Sequence, residues 1–148
     1  RGELVVRGPN VMSHYLNKPD QTAATLVDGW YHSGDVATID TDGYVFVVDR
    51  LKDLIISGGY NIAPKEIEDV ILAHPAVLDV AVVGVADEGR GEIPKAFVVC
   101  KPGRSLEAEE LLEHCRAGLA AYKLPRMIEF AEELPKTSSG KVKRYLLR

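Results

Sequence analysis

The stretch at residues 49–66 constrains the fold more than any other part of the chain. A charged pair comes first, a short apolar run at residues 54–56 follows, and Gly58 and Gly59 interrupt that run. Pro64 comes next, and proline suits the first position of a helix because its φ is already helical and its missing N–H would have no helical partner. The stretch therefore predicts a strand, a backbone-permissive step and a helix start in succession.

Bulk composition sets the class of protein. The chain has 148 residues, of which 46% are hydrophobic, and this is typical of a packed globular protein about the size of one domain. A formal net charge of −4 provides no overall basic field, so we expect no nucleic-acid partner and no anionic membrane partner. No apolar run is long enough to span a bilayer, so no transmembrane segment is predicted.

The two cysteines, Cys100 and Cys115, fall on the apolar faces of a predicted strand and a predicted helix. We therefore expect them to be small buried hydrophobic residues rather than a disulfide or a catalytic thiol. This usage predicts a reducing, cytoplasmic location. The chain also enters a strand directly from Arg1, without a methionine, so we expect it to be a piece of a longer protein.

Residues 1–50 predict a β-rich unit with one small helix, too small to bury a substantial core alone. Its predicted elements are strands at residues 4–6, 36–39 and 44–48, a helical turn at residues 11–16 and a helix at residues 21–26. Asp20 can cap that helix, because its carboxylate can accept hydrogen bonds from N–H groups of the first turn. A turn at residues 41–43 would join the last two strands into a hairpin.

Residues 51–148 predict an α+β domain with the element order β-α-β-β-α-β-α, large enough to fold by itself. The predicted strands lie at residues 54–56 with a continuation through 61–62, and at residues 77–85, 96–100 and 127–130; the helices begin at Pro64 and Ser105, and a last helical turn lies at residues 142–147. A polar loop is predicted at residues 87–94. The domain boundary is expected at residues 50–52.

Asp35 and Arg50 are the first candidate ligand contacts. A carboxylate such as that of Asp35, which follows a glycine, can hold a ribose because each oxygen accepts one hydroxyl. The same residue can be an ordinary turn aspartate, and local sequence favours that interpretation. Arg50 either forms a surface ion pair of small energetic value or reaches the same ligand as Asp35. The residues alone leave both alternatives open.

Gly58 and Gly59 also allow two interpretations. Adjacent glycines can mark a bulge or a close approach of a ligand to the backbone, and they can equally form a turn. As an isolated dipeptide, they favour a turn.

Lys141 lies in a glycine-containing loop flanked by small hydroxyl residues. The loop does not match a Walker phosphate-binding motif, because that motif needs glycine at 135 and serine or threonine at 142, where this chain has Pro135 and Val142. What remains is a lysine that can move onto an anionic group or stay solvated. The four histidines have no metal-ligand spacing, and no metal site is predicted in the chain.

Three motifs in the same order resemble the adenylate-forming acyl-CoA ligase superfamily. Residues 30–35 resemble its ribose-binding motif, residues 49–66 its hinge motif, and residues 135–141 its catalytic-lysine loop. The resemblance covers essentially the whole chain, and the hinge and the lysine loop are most similar to fatty-acyl and 4-coumarate CoA ligases. It implies that residues 1–50 end a large N-terminal domain, in a distorted β-barrel subdomain, and that residues 51–148 form a mobile C-terminal domain.

The resemblance implies a reaction in two halves. A carboxylate would attack ATP to give an acyl-adenylate and pyrophosphate, with Mg²⁺ bound upstream of this chain, and coenzyme A would then displace AMP to give a thioester. Asp35 and Arg50 would contact the ribose, Lys141 would bridge the carboxylate and phosphate oxygens, and Lys52 would be the hinge on which the small domain turns. The missing N-terminal domain and a small carboxylic acid are the implied partners.

The resemblance also implies a coenzyme A site. Gly58, Gly59 and Tyr60 would line the passage of the pantetheine arm, while Arg90, Tyr122 and Arg126 match positions that contact the CoA nucleotide in some relatives. Leu124 occupies a position where some members have a basic residue. Ile56 stands where luciferase-like and some other members have a second lysine, and this argues against a luciferase-like specialisation.

Two functions of other classes stay open. One is an adenylation module that loads a carrier-protein thiol instead of free CoA. The other is a non-catalytic binding domain, although the retention of Asp35, Arg50 and Lys141 argues against it. The phosphate-binding loop and the acyl pocket would lie upstream, so we expect the 148 residues alone to be inactive as a ligase.

Overall fold

The computed structural model describes all 148 residues, and they divide into two compact units, Arg1–Lys52 and Asp53–Arg148. The first unit is a four-stranded antiparallel sheet with one short helix. Its elements are β1 (Gly2–Val6), α1 (Pro19–Thr25), β2 (Leu26–Val27), β3 (Trp30–Ile39) and β4 (Val45–Arg50). The long strand β3 pairs with the other three and organises this unit.

Two local predictions for the first unit were wrong. Helix α1 begins at Pro19, the proline takes an early helical position, and Asp20 lies inside the first turn with no side-chain cap. The helical turn predicted at residues 11–16 is absent, and the backbone of Tyr15 at its end makes two other contacts. The Tyr15 N–H donates to Thr22 Oγ1 and the Lys18 N–H donates to Tyr15 O.

Strands β3 and β4 are longer than predicted. Strand β3 includes the six residues of the predicted ribose motif, and β4 includes Asp49 and Arg50, which the sequence placed in a charged break after the strand. Both stay in the sheet because Val36 faces Asp49 and Asp35 faces Arg50 across the ladder. The turn between the strands is confirmed.

The second unit is a mixed five-stranded sheet with two helices. A 3₁₀ turn (Leu51–Asp53) begins in the first unit and ends in the second. The other elements of the second unit are β5 (Ile55–Ser57), β6 (Tyr60–Ile62), α2 (Pro64–Leu72), β7 (Val77–Asp87), β8 (Gly91–Cys100), α3 (Ala108–Gly118), a 3₁₀ turn (Ala121–Lys123), β9 (Met127–Phe130) and a 3₁₀ turn (Arg144–Leu146). The sheet order is β6-β5-β8-β7, and β9 pairs with β8 in parallel. The predicted α+β class is confirmed.

Alternation along β7 and β8 gives the sheet of the second unit two covered faces. One face packs against α2 and α3 in a cluster of buried residues that includes Ile55, Ile62, Ile67, Ile71, Val82, Val98, Leu111 and Cys115. The opposite face forms a smaller cluster of Ala81, Val83, Phe97, Val99 and Leu134, against which Val142 and Leu147 pack. The segment after β9 therefore covers the side of the sheet that the helices leave open.

Three predicted elements of the second unit need correction. The predicted loop at residues 87–94 is mostly strand, because β7 and β8 form a long hairpin linked only by residues 88–90. Helix α3 begins at Ala108 rather than at Ser105, and the extended chain before it buries Leu106. The last predicted helical turn is a 3₁₀ turn. Helix α2 begins at Pro64 as predicted, and no helix is long and apolar enough to cross a membrane.

Candidate functional site

The sheet of the first unit brings Asp35 and Arg50 together. They are direct partners across β3 and β4, and Arg50 Nε lies 2.9 Å from Asp35 Oδ1. Their side chains are 26% and 56% exposed, so a ligand can reach the pair from solvent. A carboxylate can accept several hydrogen bonds, so Asp35 can accept one from a ligand while it pairs with Arg50.

The backbone before Asp35 is held by polar contacts to β1. The Asp35 N–H donates to Ser33 Oγ at 3.0 Å, and the Ser33 hydroxyl donates to Leu4 O at 2.7 Å. Glu3 accepts hydrogen bonds from the Gly34 N–H and from the ring of His32, and the His32 contact lowers the pKa of the Glu3 carboxyl below its usual value. These contacts fix the carboxylate of Asp35 relative to the sheet.

Lys52 lies in the 3₁₀ turn at Leu51–Asp53 and is the last residue of the first unit. Asp53, the next residue, belongs to the second unit and lies 3.8 Å from Arg144 and 3.7 Å from Arg148. The position proposed as a hinge from the sequence therefore coincides with the place where the chain passes from one compact unit to the other.

Gly58 and Gly59 form the two-residue link of the β5–β6 hairpin. Their φ angles are +55° and +84°, and Ser57 pairs with Tyr60 on either side of them. Two successive positive φ angles are typical of a type I′ hairpin turn, which glycine adopts without strain. The expected continuation of one strand through the glycines was therefore wrong, and the turn interpretation is confirmed.

Five of the six residues predicted to contact CoA lie around this turn. The Gly58 N–H donates to Arg90 O at 2.9 Å, which places the β7–β8 link beside the glycines. The rings of Tyr60 and Tyr122 are stacked, with centroids 4.5 Å apart and planes at 22°. Both rings remain exposed on their outer faces.

Lys123 lies beside the ring of Tyr122, and Arg126 follows them in the segment between α3 and β9. The ammonium of Lys123 pairs with Glu66 on α2 and lies 5.6 Å from the centroid of the Tyr122 ring. The Arg126 N–H donates to Pro94 O at 2.8 Å, and its side chain is exposed.

Lys141 lies at the end of a small hairpin turn. Lys136 and Val142 form a bridge, the Thr137 N–H donates to Lys141 O at 2.8 Å, and the Gly140 N–H donates to Thr137 O at 2.9 Å. The Lys141 N–H donates to Thr137 Oγ1 at 3.1 Å, and Gly140 has a φ of +81°. The exposed Lys141 ammonium forms no ion pair, so it is available to an anionic ligand.

Two ion pairs anchor this hairpin, and sequence reasoning missed both. Lys136 Nζ lies 2.5 Å from Asp79 Oδ2 on β7. Arg144 Nη2 donates to both carboxylate oxygens of Glu68 on α2, at 2.8 Å and 2.9 Å. The sequence contains no local signal for either pair, because the partners lie far apart along the chain. No group of three or more His, Cys, Asp or Glu side chains converges to hold a metal ion.

Comparison with known proteins finds one matching family profile and relatives that are named as CoA ligases or synthases. The sequence profile of the AMP-binding enzyme C-terminal domain matches residues 66–141. A feruloyl-CoA synthase of Amycolatopsis sp. is 54% identical over 142 residues, which are 96% of this chain and 29% of that protein. A long-chain-fatty-acid–CoA ligase of Bacillus subtilis (strain 168) is 50% identical over 143 residues, which are 97% of this chain and 26% of that protein.

A solved structure is similar over both units of the chain. It is the o-succinylbenzoate CoA synthetase of Bacillus subtilis in complex with an acyl-adenylate intermediate, with a TM-score of 0.92 and 41% identity over 99% of this chain. The match covers 30% of that structure's chain. The 148 residues therefore span less than a third of the proteins that they resemble.

Proposed function

The chain belongs to the AMP-binding enzyme C-terminal domain family, and on this premise we propose that it is the C-terminal part of an ATP-dependent carboxylic acid:CoA ligase. The full protein forms an acyl-adenylate and then an acyl-CoA thioester. The observation that carries the proposal is the exposed ammonium of Lys141, which has no ion-pair partner and lies on an anchored hairpin in the matched domain.

Asp35 and Arg50 hold the nucleotide in this proposal. The pair fits a ribose, since a carboxylate can accept a hydrogen bond from a hydroxyl while the guanidinium of Arg50 keeps it oriented. The exposed position of the pair allows a nucleotide to approach. ATP and AMP are therefore the proposed ligands, and Mg²⁺ is expected to bind outside this chain.

Lys141 acts in the first half of the reaction. Attack of a carboxylate on the α-phosphorus brings two anions together, and a fixed ammonium between them lowers that repulsion in the transition state. The hydrogen-bonded turn at residues 137–141 supports this role, because it fixes the backbone from which the lysine side chain extends.

The second half uses the surface around Gly58 and Gly59. Their missing side chains allow a narrow pantetheine arm to pass close to the backbone. The stacked rings of Tyr60 and Tyr122 offer an aromatic face to the CoA nucleotide, and the cations of Arg90 and Arg126 would attract its phosphates. Lys52 is the proposed hinge that exchanges this surface for Lys141 at the adenylate.

Half-reactions of the full-length ligase test the proposal. We expect Lys141→Ala to reduce carboxylate-dependent pyrophosphate exchange by about 100- to 1000-fold, as for removal of one preorganised donor. Lys143→Ala is the matched control, because Lys143 is a neighbouring lysine without an ion pair. Full exchange activity in Lys141→Ala would contradict the proposed role, and ATP-dependent thioester formation by the 148 residues alone would contradict their predicted dependence on the missing domain.

The acceptor is tested separately. We propose free CoA rather than a carrier-protein thiol. If the full-length enzyme consumes the adenylate when CoA is supplied, the result supports CoA as the acceptor. Consumption only with a pantetheinylated carrier protein would favour the loading module, and absence of pyrophosphate exchange with any acid in a broad panel would favour a non-catalytic binding domain.

A further inference from the structure

We propose that Arg144 is a positioning residue that acts through Lys141, an inference that rests on the proposed function. Arg144 follows Lys141 by three residues and begins the last 3₁₀ turn. Its Nη2 donates to both oxygens of Glu68 at 2.8 Å and 2.9 Å. Charge-assisted contacts of this kind are stronger and more directional than neutral hydrogen bonds, so they fix the segment relative to α2.

The carboxylate of Glu68 is also held by a second group, on strand β7. Glu68 is only 7% exposed, and its Oε1 accepts a hydrogen bond from the Val82 N–H at 2.9 Å. Strand β7 is an edge of the sheet, and this N–H points away from β8 toward the helix. Arg144 is thus attached through one buried carboxylate to both α2 and β7. Loss of the guanidinium would leave that carboxylate buried without its cation.

The segment between Arg144 and Lys141 is short and ordered by packing. Val142 packs against the cluster on the open face of the sheet, and the Lys143 N–H donates to Pro135 O at 2.8 Å. No flexible link separates the anchored residue from the lysine. A shift of Arg144 is therefore transmitted to the Lys141 backbone instead of being absorbed between them.

The other stem of the hairpin has a weaker anchor. Lys136 pairs with Asp79, but these side chains are 44% and 29% exposed. Solvent-exposed ion pairs of single lysines contribute little, because water screens the charges and the long side chain loses freedom. The structure therefore assigns most of the positioning to Arg144, and Lys136→Ala is the matched control for loss of a hairpin ion pair.

Half-reactions distinguish positioning of Lys141 from a general structural role. Lys141 acts only in adenylation, so we expect Arg144→Ala in the full-length enzyme to lower kcat of pyrophosphate exchange by about 100-fold, as for a small misplacement of a reacting group. KM for ATP and thioester formation from supplied acyl-adenylate should stay near parental. Arg144→Lys keeps the cation without the two-point geometry, so its loss should be intermediate. Lys136→Ala should have a smaller effect than either.

A double-mutant cycle tests whether Arg144 acts through Lys141. In the Lys141→Ala background, Arg144→Ala should cause no further loss of exchange, because the group that it positions is already gone. Faster amide hydrogen exchange over residues 136–143 in full-length Arg144→Ala than in Lys136→Ala is expected independently of activity. Both results support the inference.

Three results would overturn it. The first is a double mutant whose loss of exchange equals the product of the losses in Arg144→Ala and Lys141→Ala. The second is an equal loss of adenylation and thioester formation in both Arg144→Ala and Arg144→Lys. The third is unchanged amide exchange over residues 136–143 in Arg144→Ala. Full pyrophosphate exchange in Lys141→Ala alone would contradict the proposed function as well, so the two failures are distinguishable.

Discussion

Arg50 Nε lies 2.9 Å from Asp35 Oδ1, and the two residues face each other directly across β3 and β4. The contact joins two strands of one sheet, so its geometry is set by backbone pairing and not by a flexible loop. The sheet therefore holds the pair together before any ligand arrives, and the Asp35 side chain stays 26% exposed. The pair therefore forms without any contribution from the binding of a ribose.

We expect Asp35→Asn to weaken nucleotide binding far more than it weakens the fold. Loss of a charge-assisted hydrogen bond of about 1.5–3 kcal/mol would raise KM for ATP by about 10- to 100-fold in the full-length enzyme. The exposed ion pair itself contributes about 1 kcal/mol or less, so the Tm should change little. Asp42→Asn is the control, since Asp42 is an exposed aspartate in the same unit. An unchanged KM with a clear loss of Tm would assign Asp35 to stability instead.

Gly59→Ala should destabilise the second unit although nothing crowds the added Cβ. The φ of Gly59 is +84°, and no heavy atom lies within 4 Å of a Cβ built there. The cost is conformational, about 1–2 kcal/mol for a left-handed L-residue, and is measured by urea unfolding. Gly89→Ala is the matched control, because Gly89 lacks a positive φ and its added Cβ makes only ordinary contact. Equal stability of the two variants would contradict the type I′ turn.

Cys115 should react with iodoacetamide only at high pH. Burial raises the pKa of its thiol from 9.0 to about 11, because the apolar core disfavours the thiolate. Alkylation of the folded chain should therefore be slow at pH 8 and increase between pH 9 and 11. Cys100 is only partly buried and should react first, which peptide mass spectrometry resolves. Equal rates for both thiols at pH 8 would exclude the buried position.

The same shift has a consequence for stability. The unfolded thiol of Cys115 ionises at lower pH than the folded one, so the neutral form favours the folded state. This contribution is fully present below pH 9 and is lost as pH rises through about 11. The free energy of unfolding should decline more steeply across that window than in Cys115→Ala, measured from separate denaturation curves.

Tyr122→Ala should affect the CoA half-reaction selectively. The stacked Tyr60–Tyr122 pair is worth about 0.5–1.5 kcal/mol beyond buried area, so its loss should raise KM for CoA by about two- to twelve-fold. Pyrophosphate exchange should remain near parental, because the proposed adenylation residues lie elsewhere. Tyr122→Phe keeps the ring and is the control. A parallel loss of exchange in Tyr122→Ala would show a general structural effect.

Local patterns accounted for much of the fold. Pro64 marks the start of α2, and Ile67 and Ile71 recur at helical spacing and are fully buried. The order of the three motifs was sufficient to indicate the family. In these cases the physical cause lies within a few neighbouring residues, so the sequence displays it directly.

Features that depend on strand pairing were harder to predict. Charged residues at 87–94 indicated a loop, yet β7 and β8 continue through them because each has the other as a partner. Pro94 lies within β8 at a position where β7 is the only strand paired with it, since β5 pairs at Gly91 and β9 begins to pair at Lys95. Such a position tolerates a missing N–H. Strand pairing between distant residues leaves no local signal in the sequence.

The anchored hairpin was least accessible to sequence reasoning. Glu68 lies next to Ile67 at the margin of an amphipathic stripe, where a carboxylate usually faces solvent. Its burial arises because Arg144 and the Val82 N–H both converge on it. Each partner comes from a distant element, so only the assembled structure reveals that this carboxylate anchors the hairpin.

The separation of 76 residues between Glu68 and Arg144 also bears on the order of folding. The ends of β7 and β8 meet across a link of residues 88–90, so their loop closure is entropically cheap and can occur early. The Glu68–Arg144 contact must wait until α2, β7 and the segment beyond β9 have met. We expect the protein to form its compact sheet first and the Glu68–Arg144 contact last, as two separable kinetic events.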